Sequence, residues 1–115
     1  MQIIWSAHFE SDIKYYFRKK RYTKILDDID KVVIELNAGN FIGDKLECLA
    51  LPANTAAYKV RLPNSSTNVG KSGGFRMLYY VAIADEIYLL TIYSKKDDNR
   101  IPTDARIVEL INSIL

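Results

Sequence analysis

Phe75-Arg-Met-Leu-Tyr-Tyr-Val-Ala-Ile-Ala-Asp-Glu-Ile-Tyr-Leu-Leu-Thr-Ile-Tyr-Ser-Lys95 is the stretch on which the fold turns. Aromatic and branched aliphatic residues dominate it, and its only acids, Asp85 and Glu86, fall together near the middle. That pattern predicts two strands, Phe75–Ala84 and Ile87–Lys95, joined by a turn at the acidic pair. A hairpin centred on Asp85-Glu86 would set Arg76 opposite Lys95 and Leu78 opposite Tyr93. Directly opposed residues share a sheet face, so Arg76, Lys95 and Tyr93 are expected to converge at the hairpin's open end. A one-residue bulge would undo that convergence.

Upstream, Tyr58–Leu62 reads as a further strand that Pro63 ends, and Asn64–Gly74, rich in Ser, Asn and Gly, reads as a flexible polar loop. Residues 39–57 read as a loop with a short strand around Leu46–Ala50. Before it, Leu26, Ile29, Val32, Val33 and Leu36 recur at helical spacing, with Thr23 as the expected cap and Gly39 at the position after the helix. An earlier helix carries Phe9, Ile13, Tyr16 and Phe17. Ser6 is its expected N-cap, and the cations Arg18 to Arg21 lie at its negative end. Gln2–Trp5 reads as a short opening strand, and Pro102-Thr103 opens a C-terminal helix bearing Ile107, Leu110, Ile111 and Ile114. The expected fold is α+β in one domain, residues 1–115. An N-terminal strand and an antiparallel two-helix hairpin pack on a mostly antiparallel sheet, with a helix at the C-terminus.

The chain is 49% apolar and 26% charged, which suits an ordinary globular domain with one core. Its net charge of +2 is small, but the charge is unevenly placed. Residues 1–57 hold eight Lys/Arg against eight Asp/Glu, and residues 58–115 hold eight against six. Between Lys59 and Ala84 there is no acid at all, while Lys59, Arg61, Lys71 and Arg76 all fall there. Cations held on strands can grip a polyanion in a fixed pose.

Other chemistries find little support. The one cysteine, Cys48, excludes an intramolecular disulfide and a cysteine-based zinc site, and its apolar surroundings predict a buried, inert thiol. Gly70-Lys71-Ser72 lacks both the earlier glycine and the following helix of a phosphate-binding P-loop. His8 is alone, so no histidine triad is available, and the acids are scattered; neither a metal nor a cofactor is expected. No signal peptide or membrane span is expected, which places the protein in the cytoplasm.

The surviving constellation is Lys59-x-Arg61, Lys71, Arg76 and Tyr93-Ser94-Lys95-Lys96. Lys59 and Arg61, two apart on a strand, point to one face. Cleavage of RNA by its own 2′-hydroxyl needs in-line placement, charge neutralisation at phosphate and proton transfer, all within reach of arginine, lysine and tyrosine. The residues alone leave three readings open: nucleic-acid binding, cleavage, or a solvated or partner-binding face.

The sequence also resembles a known group. Tyr-Lys-Val-Arg-Leu-Pro (58–63), Gly-Lys-Ser-Gly-Gly-Phe-Arg-Met-Leu-Tyr-Tyr (70–80) and Leu-Leu-Thr-Ile-Tyr-Ser-Lys-Lys (89–96), in that order, resemble the RelE/ParE superfamily of type II toxin–antitoxin toxins, with the HigB/RelE-like mRNA interferase branch most similar. The opening Ile-Ile-Trp-Ser and Gly-Asn-Phe-Ile-Gly-Asp (39–44) agree with it. The resemblance implies a metal-independent, ribosome-dependent endoribonuclease that cuts mRNA in the ribosomal A site, inhibits translation and is held in check by a cognate antitoxin protein. It implies catalytic roles for Arg76, Lys59, Arg61, Tyr93 and Lys95, with Arg76 stabilising the transition-state phosphate. Lys71, Lys96 and Arg100 are the accompanying RNA-binding candidates. The chain departs from RelE itself in its longer Asn64–Gly74 segment and in lacking a tyrosine after the last strand, where Tyr93 is the nearest substitute. The rival expectations are a ParE-like inhibitor of DNA gyrase and a non-enzymatic basic module that binds RNA or protein.

Overall fold

Alternation along Phe75–Val81 divides its side chains between two apolar layers, and that division organises the molecule. The computed structural model describes residues 1–114. In chain order the elements are β1 (Gln2–Trp5), α1 (Ala7–Lys14), α2 (Ile25–Asn37), β2 (Asp44–Lys45), β3 (Ala56–Leu62), β4 (Phe75–Val81), β5 (Glu86–Ser94) and α3 (Asp104–Ile114). The five strands form one sheet in the order β1-β5-β4-β3-β2, in which β1 runs parallel to β5 and every other pair is antiparallel. The α+β architecture expected from the sequence is the one observed.

Phe75, Met77 and Tyr79 of β4 face α1 and α2, packing with Phe9, Ile13, Tyr16, Ile25, Ile29, Val32 and Leu36. Leu78 and Tyr80 face the other way, joining Ala57, Leu90, Tyr93 and α3's Ile107 and Ile111. Each such side chain, once buried, contributes on the order of 1.5–3 kcal/mol, so a central strand apolar on both faces suits a sheet covered on both sides.

The helix ends follow local chemistry. Ser6 caps α1, its hydroxyl accepting the Phe9 N–H at 3.1 Å. Past Lys14 the helix widens over Tyr15–Lys19, and the Lys20 N–H reaches back five residues to the Tyr15 carbonyl. At the end of α2, Gly39 takes φ +86°, while the Gly39 and Asn40 N–H groups bond the Leu36 and Glu35 carbonyls, a Schellman closure.

Several expectations are corrected. Thr23 does not cap α2; the Lys24 N–H is met instead by the Ser66 hydroxyl, 42 positions along the chain, at 2.9 Å. The short strand falls at Asp44–Lys45 rather than Leu46–Ala50. Leu46, Leu49 and Leu51 pack against the α3-side layer, and Cys48 between them is exposed rather than buried. The segment 64–74 is tied down rather than loose. Asn64 and Val69 exchange both backbone hydrogen bonds, and Ser65 donates its N–H and hydroxyl to the buried Asp28 carboxylate.

The hairpin register also differs. Ala82–Asp85 forms a longer turn in which the Ala82 N–H bonds the Glu86 carbonyl, so the turn is centred earlier than Asp85-Glu86. Val81 then pairs with Ile87, and a bulge between Leu78 and Tyr79 leaves Leu90 without a partner residue. The outcome is Arg76 opposite Tyr93, with Lys95 one rung further out, its N–H on the Gly74 carbonyl at 3.0 Å.

Candidate functional site

Antiparallel pairing brings the basic strand residues into line. Arg61 on β3 pairs with Arg76 on β4, and Arg76 pairs with Tyr93 on β5, forming a rung across three adjacent strands on the α3-side face. Two residues back along β3, Lys59 shares that face and lies opposite Leu78 on one side and Asp44 on the other. The acid-free stretch is therefore not acid-free in space. Asp44 offsets Lys59 from a neighbouring strand, and Asp28 grips the loop after β3.

The two arginines differ. Arg61 is exposed and makes no ion pair among the described residues. Arg76 is only 9% exposed, and its guanidinium donates to the carbonyls of Lys71, Ser72 and Phe75 at 3.1–3.2 Å. Those bonds fold the glycine-rich segment back over the arginine, and among the described residues no carboxylate pairs with its charge. Gly74 lets the chain enter β4 tightly against the end of β3, since a Cβ there would fall on the Leu62 carbonyl oxygen.

Tyr93 is 5% exposed beneath α3. Burial pushes its phenol above the usual range, and the nearby Arg76 charge pulls it part of the way back. At neutral pH it is a proton donor, not a base.

Arg61 and Lys71 share the wall of a cavity of about 620 Å³ along the edge of β3 beyond the two-residue β2. Asp28, Lys31 and Glu35 of α2 form its opposite side. Lys95 stands just past the rung. Lys96 instead lines a small pocket of about 110 Å³ with Tyr16, Lys20, Tyr22, Ser94 and Asp97. Arg100 is committed to the fold. Its Nη2 lies 2.8 Å from the Asp12 carboxylate, and its guanidinium stacks 3.9 Å over the Tyr15 ring. The candidates thus divide into a connected set (Lys59, Arg61, Lys71, Arg76, Tyr93, Lys95) and two that sit apart from it.

Asp12 and Asp28 are the residues that sequence reasoning missed. Both are buried, and both occupy apolar-stripe positions of their helices, Asp12 between Phe9 and Ile13 and Asp28 between Ile25 and Ile29. An acid on the buried stripe was the available signal. Its partners, Thr91 for Asp12 and Ser65 for Asp28, were not marked by any spacing.

No protein-family model matches the chain, and no curated protein matches it.

Proposed function

We propose that this chain is the toxin of a type II toxin–antitoxin pair, cutting messenger RNA in the ribosomal A site without a metal ion. The observation that carries the reading is the Arg61–Arg76–Tyr93 rung. Like charges directly opposed across strands destabilise a sheet, and a phosphate between them removes that cost.

In this reading the RNA's 2′-hydroxyl gives its proton to solvent water as its oxygen attacks the adjacent phosphorus. The bond to the 5′-oxygen breaks and that oxygen takes up a proton, and a 2′,3′-cyclic phosphate and a 5′-hydroxyl result. Arg61 and Lys59 bind the phosphate oxygens, where charge grows in the transition state. Arg76 supplies fixed positive charge and positions the loop that carries Lys71. Tyr93, held protonated by burial, donates a hydrogen bond or proton toward the departing oxygen. The order and spacing of the motifs that resemble the RelE/ParE group support the ribosomal setting and a cognate antitoxin covering the basic face.

The test is cleavage of mRNA on programmed ribosomes by the purified chain. Arg61→Ala is expected to lower cleavage about a hundredfold or more with an unchanged circular-dichroism spectrum, because Arg61 is exposed and makes no ion pair among the described residues. Intact mRNA in the presence of folded wild-type protein overturns the reading.

One observation favours a non-enzymatic RNA-binding module instead: Arg76 already donates to three main-chain carbonyls, and Tyr93 is covered by α3. That module would bind RNA in the same assay and leave it whole.

A further inference from the structure

We propose that the cavity at the root of α3 is a binding site for a small organic oxyanion, a phosphate or carboxylate group on a compact apolar body. The cavity holds about 360 Å³, and its wall includes none of Lys59, Arg61, Lys71, Arg76 or Tyr93. Its volume is at the small end of ordinary ligand sites.

The wall has two characters. Ile101, Pro102 and Leu110 give an apolar side, while His8, Asn99, Arg100 and Arg106 bring donors to the other. Charge decides which ligand this suits. Among the described residues Asp12 is the one carboxylate on the wall, and it is already occupied. It accepts from the Thr91 hydroxyl, the Ile92 N–H and Arg100 Nη2, and His8 Nε2 lies 3.4 Å away. Arg100 neutralises it, which leaves Arg106 to set the sign of the cavity. Arg106 has only Glu109, at 3.3 Å on the surface of α3, an exposed pairing that holds it weakly.

A phosphate or carboxylate head group would give Arg106 a partner inside the cavity, where its present one lies on the exposed surface of α3, whereas a cationic ligand would be repelled.

His8 is the only histidine in the chain, so its imidazole proton resonances report on the cavity without ambiguity. Phenyl phosphate, benzoate and benzyl alcohol, titrated at fixed pH and ionic strength, offer one apolar body with three head groups. A saturable shift of the His8 resonances is expected with phenyl phosphate, benzoate or both, and not with benzyl alcohol; which anion binds tighter identifies the head group. Arg106→Ala should weaken binding about tenfold or more, Asn99→Ala should weaken it less, and Arg61→Ala should leave it unchanged. Absence of saturation, an equal response to benzyl alcohol, or sensitivity to Arg61→Ala in place of Arg106→Ala overturns the proposal. Cleavage of mRNA enters none of these readouts, so this inference and the nuclease reading fail separately.

Discussion

Asp12 shows how much one side chain can organise. β1 pairs with β5 only as far as Trp5 and Leu89, so the edge of β5 beyond that point has no strand beside it. The N-cap of α1 and a residue on its buried face take over. Ser6 donates its hydroxyl to the Leu90 carbonyl, and the Asp12 carboxylate accepts the Ile92 N–H and the Thr91 hydroxyl. Arg100 then arrives from the far end of the chain to balance the buried charge. Asp12→Ala would leave the Ile92 N–H without an acceptor and the Arg100 guanidinium, 29% exposed at its side chain, without a counter-charge. Removing one partner of a fully buried pair costs about 3–5 kcal/mol. Solvent at Arg100 reduces that, so a loss of about 2–4 kcal/mol is expected in urea unfolding. A loss below about 1 kcal/mol would mean that the bonds to β5 contribute almost nothing. The position of Asp12 on the apolar stripe was readable from Phe9, Ile13 and Tyr16. Its partners, about eighty positions away, were not, because helical periodicity records which face is buried and not what that face meets.

Among the elements, strands were the more legible and their registration the less. Phe75–Val81 falls within the stretch that residue type alone predicts, and Glu86–Ser94 matches the expected Ile87–Lys95 to one residue at each end. The pairing between them depends on two local events that composition does not encode: the turn of Ala82–Asp85, in which Asp85 adopts φ +60°, and the bulge at Leu90. Together they move Arg76 from Lys95 to Tyr93. The loop before β4 was legible as a loop but not as a built object, since its order comes from Asp28, from the Asn64–Val69 bridge and from Arg76. Gly74 is where that construction is tightest, with the Leu62 carbonyl and the Asn64 N–H both inside the space of a Cβ. Gly74→Ala is therefore expected to cost about 2–3 kcal/mol through backbone displacement and to loosen the carbonyls around Arg76. Gly70, in the same segment, has nothing within 4 Å of the position of a Cβ. Gly70→Ala should stay within about 0.5 kcal/mol of wild type. Equal effects of the two substitutions in chemical denaturation would show that the packed segment contributes nothing beyond its glycine content.

At the scale of the molecule, the two apolar layers share one titratable weakness. Tyr16 and Tyr79 lie in the layer beneath α1 and α2, and Tyr93 lies in the layer beneath α3. Burial raises the pKa of all three. Tyr16 also has the Asp97 carboxylate beside it, while the bond that its oxygen accepts from the Ser94 N–H and the nearby Arg100 work in the opposite direction. The sign follows from linkage. A phenol ionises near pH 10 in the unfolded chain (about 10) and later in the folded one, so the folded state keeps protons that the unfolded state has released. The resulting stability is complete below the unfolded value and falls away as pH rises through the folded values. Unfolding free energy in urea should therefore hold steady up to about pH 9 and decline steeply above about pH 10. Because phenols in both layers take part, the loss should be cooperative, with phenolate absorbance rising together with the loss of helical signal. Tyr79→Phe separates the proton from the packing. It removes the hydroxyl bonded to the Ile42 carbonyl, costing about 0.5–1.5 kcal/mol at neutral pH. It also removes one of the titrating groups, so the decline above about pH 10 should be shallower than in wild type. A parallel decline in the two proteins would mean that Tyr79 ionises freely in the folded state, and that the layer beneath α1 and α2 admits solvent to its centre.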